Sequence, residues 1–184
     1  MGPLRIIAVV VLSVAALPQV RPGVPPFEPA RAANVLFFVG IDCPVSNGYA
    51  PEIQRICAAY DSKGVQCLLV YEDPGLTPAA ARAHAAEYRY ASIPTVVDSD
   101  GSIAARAGAT ITPEAAVVDR QGVVRYRGRI DNKYVALGRA RRTVTVHDLT
   151  SALDAMTAGT PLTVTDTQAV GCVIVPPEMR RKTP

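Results

Sequence analysis

The stretch that most constrains this chain is an apolar run that ends in a cysteine. Residues 35–41 are Val-Leu-Phe-Phe-Val-Gly-Ile, and Asp42, Cys43 and Pro44 follow directly. Short runs rich in β-branched and aromatic residues are typical of buried strands. Proline suits the first position of a helix, where no backbone N–H is needed. The sequence therefore predicts that Cys43 lies where a buried strand ends and a helix begins.

That position would activate the sulfur of Cys43. Free N–H groups and the positive end of the helix dipole lower a thiol pKa from ~8.5, in known cases to roughly 3.5–7.5. The alternative is a buried and inert cysteine at a turn, because free cysteine is commonly buried. We interpret Cys43 as a reactive thiol, since the strand, the cysteine and Pro44 occur together.

Composition excludes several functional classes. The chain has 184 residues, of which 19% are charged and 49% are apolar, so it can form one domain with a proper core. The net charge of +3 is too small to indicate nucleic-acid binding. We interpret the basic residues at 139–142 and 180–182 as solvated surface. No cysteine–histidine cluster has zinc-finger spacing, and we expect no resident metal or other cofactor.

The N-terminus predicts export. Arg5 precedes an uncharged run over residues 6–20, which Pro18 interrupts, whereas a membrane span needs ~20 apolar residues. We predict that residues 1–20 are a secretory signal peptide, with a cleavage site after Ala16, and that residues 21–33 are a proline-rich linker. An uncleaved membrane anchor is the alternative. Export to the periplasm or the medium would place the cysteines in an oxidising compartment.

Two further cysteines lie in the element pair that follows Cys43. A helix kinked at Pro51 carries Cys57 on its apolar face, and the strand 65–71 carries Cys67. Strand, helix and strand form a βαβ unit, so the two strands should be parallel neighbours. We predict a structural disulfide between Cys57 and Cys67, which needs a Cα separation of roughly 4.4–6.8 Å. Two buried free thiols are the alternative.

The rest of the chain completes an α/β pattern. We predict a helix over 77–90, a short strand over 95–97, a hairpin over 115–130, a polar loop over 131–142 and a final helix over 147–158. Thr145 is expected to cap the final helix. His84 is interpreted as a surface residue and His147 as a structural one, rather than as ligands.

This order of elements resembles the thioredoxin fold, an α/β fold with a central mixed β-sheet flanked by helices. That family carries Cys-x-x-Cys at the start of a helix, and a proline that kinks the helix follows five residues after the second cysteine. Cys43 and Pro51 match these positions, and Ser46 replaces the second cysteine. The resemblance covers about residues 34–158, which we predict to be the folded domain, followed by a tail over 159–184.

The resemblance also implies a cis-proline that faces the reactive cysteine. Thr112-Pro113 fits this position because a hairpin and a final helix follow it. Ile93-Pro94-Thr95 is a rival match. We prefer Pro113, because choosing Pro94 leaves an extra hairpin before the last helix.

Within the superfamily the chain is most similar to exported redoxin-type proteins, through residues 42–47 (Asp-Cys-Pro-Val-Ser-Asn) and 126–131. This implies a thiol–disulfide oxidoreductase with Cys43 as nucleophile, acting on protein or small-molecule thiols and disulfides. A thiol peroxidase and a Sco-like Cu(I)-binding module are alternatives. Peroxiredoxins carry a hydroxyl residue at the position of Gly40 and proline at that of Leu36. Sco-type chaperones carry a second cysteine at the position of Asn47.

The resolving thiol for Cys43 must be either Cys172 or a thiol from outside the chain, because Ser46 occupies the local position. The cysteine count is four, so pairing Cys57 with Cys67 leaves Cys172. Residues 171–175 are a small apolar island in the polar tail, which suggests docking on the domain. We predict that Cys172 is the partner of Cys43. A tail cysteine used between molecules, or not used at all, is the alternative.

Overall fold

A computed structural model describes residues 28–90 and 92–180. The predicted signal peptide and most of the predicted linker lie outside the described residues. The strands are β1 (Ala33–Val39), β2 (Val65–Tyr71), β3 (Thr95–Val97), β4 (Ile111–Thr112), β5 (Glu114–Val118), β6 (Val124–Gly128), β7 (Tyr134–Ala136), β8 (Arg139–Ala140) and β9 (Cys172–Val173). The helices are α1 (Pro44–Gly48), α2 (Ala50–Asp61), α3 (Pro78–Glu87), α4 (Ser102–Ala107), α5 (Asp148–Ala158) and α6 (Pro177–Arg180).

A mixed five-stranded sheet forms the centre of the fold, in the order β3-β2-β1-β5-β6. Strand β1 is parallel to β2 and antiparallel to β5, and all seven of its residues are buried. A strand in the middle of a sheet covered on both faces must be apolar on both sides, which explains the uninterrupted run before Cys43. The thioredoxin-like α/β fold predicted from the sequence is confirmed.

The two faces of the sheet pack against different elements. Phe37 and Leu69 point to the side covered by α2 and α5, through Ile53, Ile56 and Leu153. Phe38 points to the opposite face, where α4 and Ile174 of the tail cover it. Alternation of side chains along a strand produces this division, and it leaves the end of β1 facing the loops that build the site.

Cys57 and Cys67 form a disulfide, as predicted. The bond joins α2 to β2, and the Cα atoms are 5.8 Å apart, within the required range. Cys67 is opposite Val35 in the parallel register of β1 and β2. The bond therefore secures α2 to the sheet strand next to β1.

The helix after Cys43 is divided rather than kinked at an interior proline. Helix α1 ends at Gly48, α2 begins at Ala50, and Pro51 lies in the first turn of α2. The kink predicted at Pro51 is instead a break at Tyr49, two residues earlier, so Pro51 lies at the start of a helix and not inside one. The physical reason is that a proline in the first turn of a helix needs no hydrogen-bond acceptor for its nitrogen.

The segment 131–142, predicted to be a polar loop, contains the small hairpin β7–β8. Asp131 and Asn132, which precede this hairpin, are buried. The prediction that Thr145 caps α5 was wrong, because the N-cap residue of α5 is His147. The Asn132 side chain instead donates to Thr145 Oγ1 at 2.8 Å and accepts from the Thr145 N–H at 3.0 Å. This buried asparagine satisfies the polar groups of the connection and so competes with the cap.

The tail is part of the folded unit, although the domain was predicted to end at residue 158. Asp166 bridges to Arg127 of the edge strand β6, and the Arg127 N–H donates to the Thr165 carbonyl oxygen at 2.9 Å. Strand β9 pairs with β4, and Ile174 is buried in the second face of the core.

In the part of the chain that the structure describes, no helix has the length and apolarity to cross a membrane.

Candidate active site

Cys43 lies at the junction predicted from the sequence. It is the N-cap residue of α1, Pro44 follows in the first turn, and the residue is 3% exposed. Its Sγ accepts from the Ser46 backbone N–H at 3.5 Å. The Ser46 hydroxyl accepts in turn from the Gly40 N–H at 3.4 Å. Ser46 thus supports the sulfur with donors where the related motif has a second thiol.

The loop that faces Cys43 ends in a cis peptide bond between Thr112 and Pro113. The prediction of a cis bond at Pro113 rather than Pro94 is confirmed. The Cys43 thiol donates to the Thr112 carbonyl oxygen at 3.1 Å. Glu114 holds the same loop, because its Oε2 accepts from the Thr110 and Ile111 N–H groups at 2.7 and 3.2 Å.

Cys172 lies beside Cys43, in the tail strand β9. It is opposite Thr112 in the antiparallel pairing of β9 with β4. Cys43 Sγ donates to the carbonyl oxygen of the same Thr112, so both cysteines line one cleft. Both cysteines are free thiols, with Cys43 buried and Cys172 half-buried. The structure therefore brings together the two cysteines that remain once the disulfide is assigned.

The surroundings shift the pKa values of the two thiols in opposite directions. Burial acts to raise the pKa of Cys43, but hydrogen bonds from Cys172, from the Ser46 backbone and from the Ser46 and Thr112 side chains outweigh it and lower that pKa. Burial, the hydrogen bond to Cys43 and the charges of Cys43 and Asp73 raise the pKa of Cys172 to about 11. The first proton lost therefore comes from Cys43, while Cys172 keeps its own.

A chain of hydrogen bonds that sequence reasoning missed fixes the loop before Cys43. Asp73 Oδ2 accepts from the Ile41 N–H at 2.9 Å, and the Asn47 amide donates to the Ile41 carbonyl oxygen at 2.9 Å. His84 Nε2 contacts Asn47 Oδ1 at 3.0 Å, and His84 Nδ1 contacts the Tyr71 hydroxyl at 2.9 Å.

His84 is consequently not the surface residue that we predicted. It is 9% exposed, packs between Tyr71 and Tyr88, and burial lowers its pKa. Its spacing in an alanine-rich helix gives no sign of this role, because the partners come from distant elements.

A buried ion pair closes one end of the site, and sequence reasoning missed it as well. Arg180, which we predicted to lie on a solvated surface, donates to Glu72 Oε2 at 2.7 Å, with side-chain exposures of 4% and 2%. Burial and the nearby Asp98 raise the pKa of Glu72, and Arg180 opposes that rise. Glu72, Cys43, Thr112 and Cys172 line one cleft of about 310 Å³.

The chemistry open to this arrangement follows from the two sulfurs. Adjacent thiols with separated pKa values suit thiol–disulfide exchange, in which a thiolate attacks and a second thiol resolves. Soft thiolates could also hold Cu(I). Neither of the chain's two histidines lines this cleft: both ring nitrogens of His84 are engaged by Tyr71 and Asn47, and His147 lies beside Glu52 and Asp131 in a different cleft.

Comparison with known proteins agrees with this fold. A solved structure of an uncharacterised conserved protein from Geobacillus kaustophilus is 26% identical, with a TM-score of 0.70 over 78% of this chain and 77% of that chain. A hypothetical protein from Sinorhizobium meliloti 1021 is 23% identical, with a TM-score of 0.69 over 79% of this chain and 80% of that chain. No curated protein matches the sequence. The Redoxin family model matches residues 30–140, which span β1, Cys43, the cis bond and the hairpin β5–β6. The chain is a member of the Redoxin family.

Proposed function

We propose that this protein is a thiol–disulfide oxidoreductase in which Cys43 attacks and Cys172 resolves. The observation that supports it most is that two free thiols line the same cleft, on either side of Thr112, and that their pKa values are shifted in opposite directions. Membership of the Redoxin family agrees with a redox function. Substrates would be disulfides or thiols of proteins or small molecules.

The reaction balances with the residues of the site. The Cys43 thiolate attacks one sulfur of a substrate disulfide, forms a mixed disulfide and releases the other substrate sulfur as a thiolate. Cys172 then attacks Cys43 Sγ, and its proton passes to the departing substrate thiolate. The substrate thiolate released first takes up from solvent the proton that Cys43 lost. The substrate thus gains two electrons and two protons and becomes a dithiol, while Cys43 and Cys172 become a disulfide. An external thiol restores the reduced pair, and the reverse sequence oxidises a substrate dithiol.

Cys43 and Cys172 perform distinct steps in this scheme. Ser46 and Thr112 position the sulfur of Cys43. Ser46 gives hydrogen bonds that stabilise the thiolate, and Thr112 contacts both cysteines. The peroxidase alternative has no comparable support, because Gly40 provides no hydroxyl beside Cys43. Two adjacent thiols leave Cu(I) binding as the second candidate, although neither histidine lines their cleft.

The first prediction concerns release of the mixed disulfide. Cys172→Ser should still form a mixed disulfide at Cys43 when the reduced protein meets a disulfide-bonded peptide, but should release it at least about tenfold more slowly, because an intramolecular thiol acts at an effective concentration of order mM. Intact-mass spectrometry at successive times measures the adduct.

Cys43→Ser is the matched control and should give no adduct. Wild-type protein should end with a disulfide between Cys43 and Cys172. Normal release by Cys172→Ser would show that Cys43 depends on an external thiol, and an adduct on Cys172 in the Cys43→Ser protein would reverse the proposed roles.

We also propose that the protein works outside the cytoplasm, in the periplasm or the medium. Two features support this: the apolar N-terminal run with its small residues at 14–16, and the disulfide between Cys57 and Cys67. Structural disulfides persist mainly in oxidising compartments. Contact with a membrane would then arise only if the N-terminal segment stays uncleaved.

A further inference from the structure

Residues 171–180, here called the strap, form one wall of the cleft that contains Cys43. Cys172 and the three residues after it line the cleft on the strap side, and Cys43 and Glu72 line it on the domain side. Cys43 is 3% exposed in this arrangement. A disulfide carried by a polypeptide therefore cannot reach Cys43 Sγ while the strap is in place.

The strap is attached to the domain at its start by backbone pairing. Val173 and Cys172 pair with Ile111 and Thr112, and the Ile174 N–H donates to the Thr110 carbonyl oxygen at 2.9 Å. At Gly171 the approach is so close that a Cβ atom would overlap the Thr112 carbonyl oxygen. Docking thus requires glycine at this position.

At its end the strap packs against Gly101 through Pro177 and Arg180, and Arg180 makes its hydrogen bonds to the domain. Besides its bond to Glu72, Arg180 donates to the Val175 carbonyl oxygen at 2.7 Å and to the Asp98 carbonyl oxygen. In the same four-residue helix α6, Met179 is exposed. We call the contact of Arg180 with Glu72 and Asp98 the latch.

The latch is incompletely satisfied. Glu72 Oε1 is buried and has no hydrogen-bond partner among the described residues. A buried carboxylate with one oxygen unpaired keeps part of its desolvation cost, so the closed state is less stable than a fully paired one. Pairing between two-residue strands adds little and Val173 is exposed, so apart from the latch the closed strap depends mainly on the burial of Ile174.

We infer that the strap is a gate over Cys43, released when Arg180 leaves Glu72, and that its opening admits the substrate disulfide. This inference rests on the proposed function. The open strap exposes Cys43 for attack and withdraws Cys172. As the strap returns, Cys172 attacks Cys43 Sγ and displaces the substrate sulfur, so the strap closes fully only as the substrate leaves. The same movement therefore separates attack from resolution in time.

The test measures access to Cys43 without any substrate. In a Cys172→Ser background Cys43 is the chain's one free thiol, because the other two cysteines form the disulfide. Two variants open the strap in different ways: E72Q/R180M removes the latch without leaving a buried charge unpaired, and G171V obstructs docking at Thr112. The rate of alkylation by iodoacetamide is read at its alkaline plateau, so that changes in pKa do not enter.

We expect each opening variant to raise the plateau rate of alkylation about tenfold. Losing one hydrogen bond to a charged group shifts the equilibrium between the closed and open strap by about that factor. Arg139→Met, at an exposed arginine of β8, should leave the rate unchanged. Circular dichroism and the intact disulfide between Cys57 and Cys67 report that the domain is folded. Unchanged rates in both folded opening variants would overturn the gate, while the mixed-disulfide experiment would still test the proposed function.

Unmodified protein gives a second test, which holds even where a variant does not fold. Hydrogen exchange at the Ile174 amide should be faster than exchange at the buried amides of β1, because the strap opens without global unfolding. Equal protection at both places would show that the strap opens only when the domain unfolds, and would overturn the inference.

Discussion

At the scale of single residues, Cys43 and Cys172 show how position alone gives two identical thiols different chemistry. Cys43 is surrounded by donors, and Cys172 faces the charges of Cys43 and Asp73. A hydrogen bond given to a thiolate lowers its pKa, and a nearby negative charge raises the pKa of the neighbouring thiol. The pair can therefore hold one negative charge and one proton between them.

The pH dependence of Cys43 alkylation follows from this arrangement. Only the thiolate reacts, so a lowered pKa keeps Cys43 reactive below the pH at which an ordinary thiol has become protonated. We expect the rate to fall through a midpoint below ~8.5, the value for a free thiol. Peptide mapping after iodoacetamide treatment at a series of pH values measures the midpoint of each cysteine separately.

Cys172→Ala should raise the midpoint of Cys43, because it removes a hydrogen bond that stabilises the thiolate. Cys172→Ser keeps a donor and should raise it less. A wild-type midpoint at or above that of a free thiol would contradict the electrostatic account of the site.

Local sequence is enough to predict some of these residues. Cys43 and Pro44 could be placed at the start of a helix because an apolar strand run followed directly by proline marks that junction in the sequence itself. Asn47 and His84 could not, because their hydrogen bonds join α1 to α3 across 37 residues. A side chain whose partners come from distant elements leaves no periodic signal in the sequence.

At the scale of elements, β9 does more than carry Cys172. Ile174, directly after it, fills the second face of the core beside Ile103 and Ala107 of α4. The predicted apolar island over residues 171–175 docks on the domain as expected. Within it the Ile174 side chain is buried and the Val173 side chain is exposed.

Ile174→Ala should lower the free energy of unfolding by about 2 kcal/mol, the lower end for truncating a buried isoleucine, since the site lies at the margin of the core. Val173→Ala is the matched control: Val173 is 77% exposed, so the change should stay within about 0.5 kcal/mol. Urea unfolding followed by circular dichroism measures both. Equal effects of the two substitutions would show that the tail is not part of the folded unit.

At the scale of the whole molecule, the four cysteines divide into one disulfide and two free thiols. Cys57 and Cys67 form a disulfide that joins α2 to β2, whereas Cys43 and Cys172 are free thiols, one on the domain and one on its tail. An exported protein can keep the first pair oxidised permanently while the second changes its redox state.

Export predicts the state of the mature protein in cells. Protein recovered from the periplasm or medium should begin at Leu17, and Cys57 and Cys67 should resist alkylation until the protein is denatured and reduced. N-terminal sequencing and mass mapping check the two outcomes. A full-length chain with its first residues intact, recovered from the membrane fraction, would instead support the uncleaved anchor.

The sequence by itself determined the fold class, the position of Cys43 and the candidate disulfide and cis-proline. The position of Cys43 and the candidate disulfide follow from hydrophobic periodicity and proline placement. The fold class and the cis-proline were expected from the resemblance of the element order and motifs to the thioredoxin fold. The sequence did not determine that the helix breaks before Pro51, which occurs because a proline fits the first turn of a helix. Nor did it determine the hairpin within residues 131–142, beside which the Asn132 side chain bonds to Thr145.

Only the tertiary structure decided how the site is closed. Glu72 and Arg180 are 108 residues apart in the chain and share one ion pair, and Arg180 stands in a basic run that would ordinarily be solvated. The tail folds back because Ile174 gains burial on the sheet and Gly171 admits a close backbone approach. Such contacts depend on where distant segments meet, so a linear pattern of charge and hydropathy does not specify them.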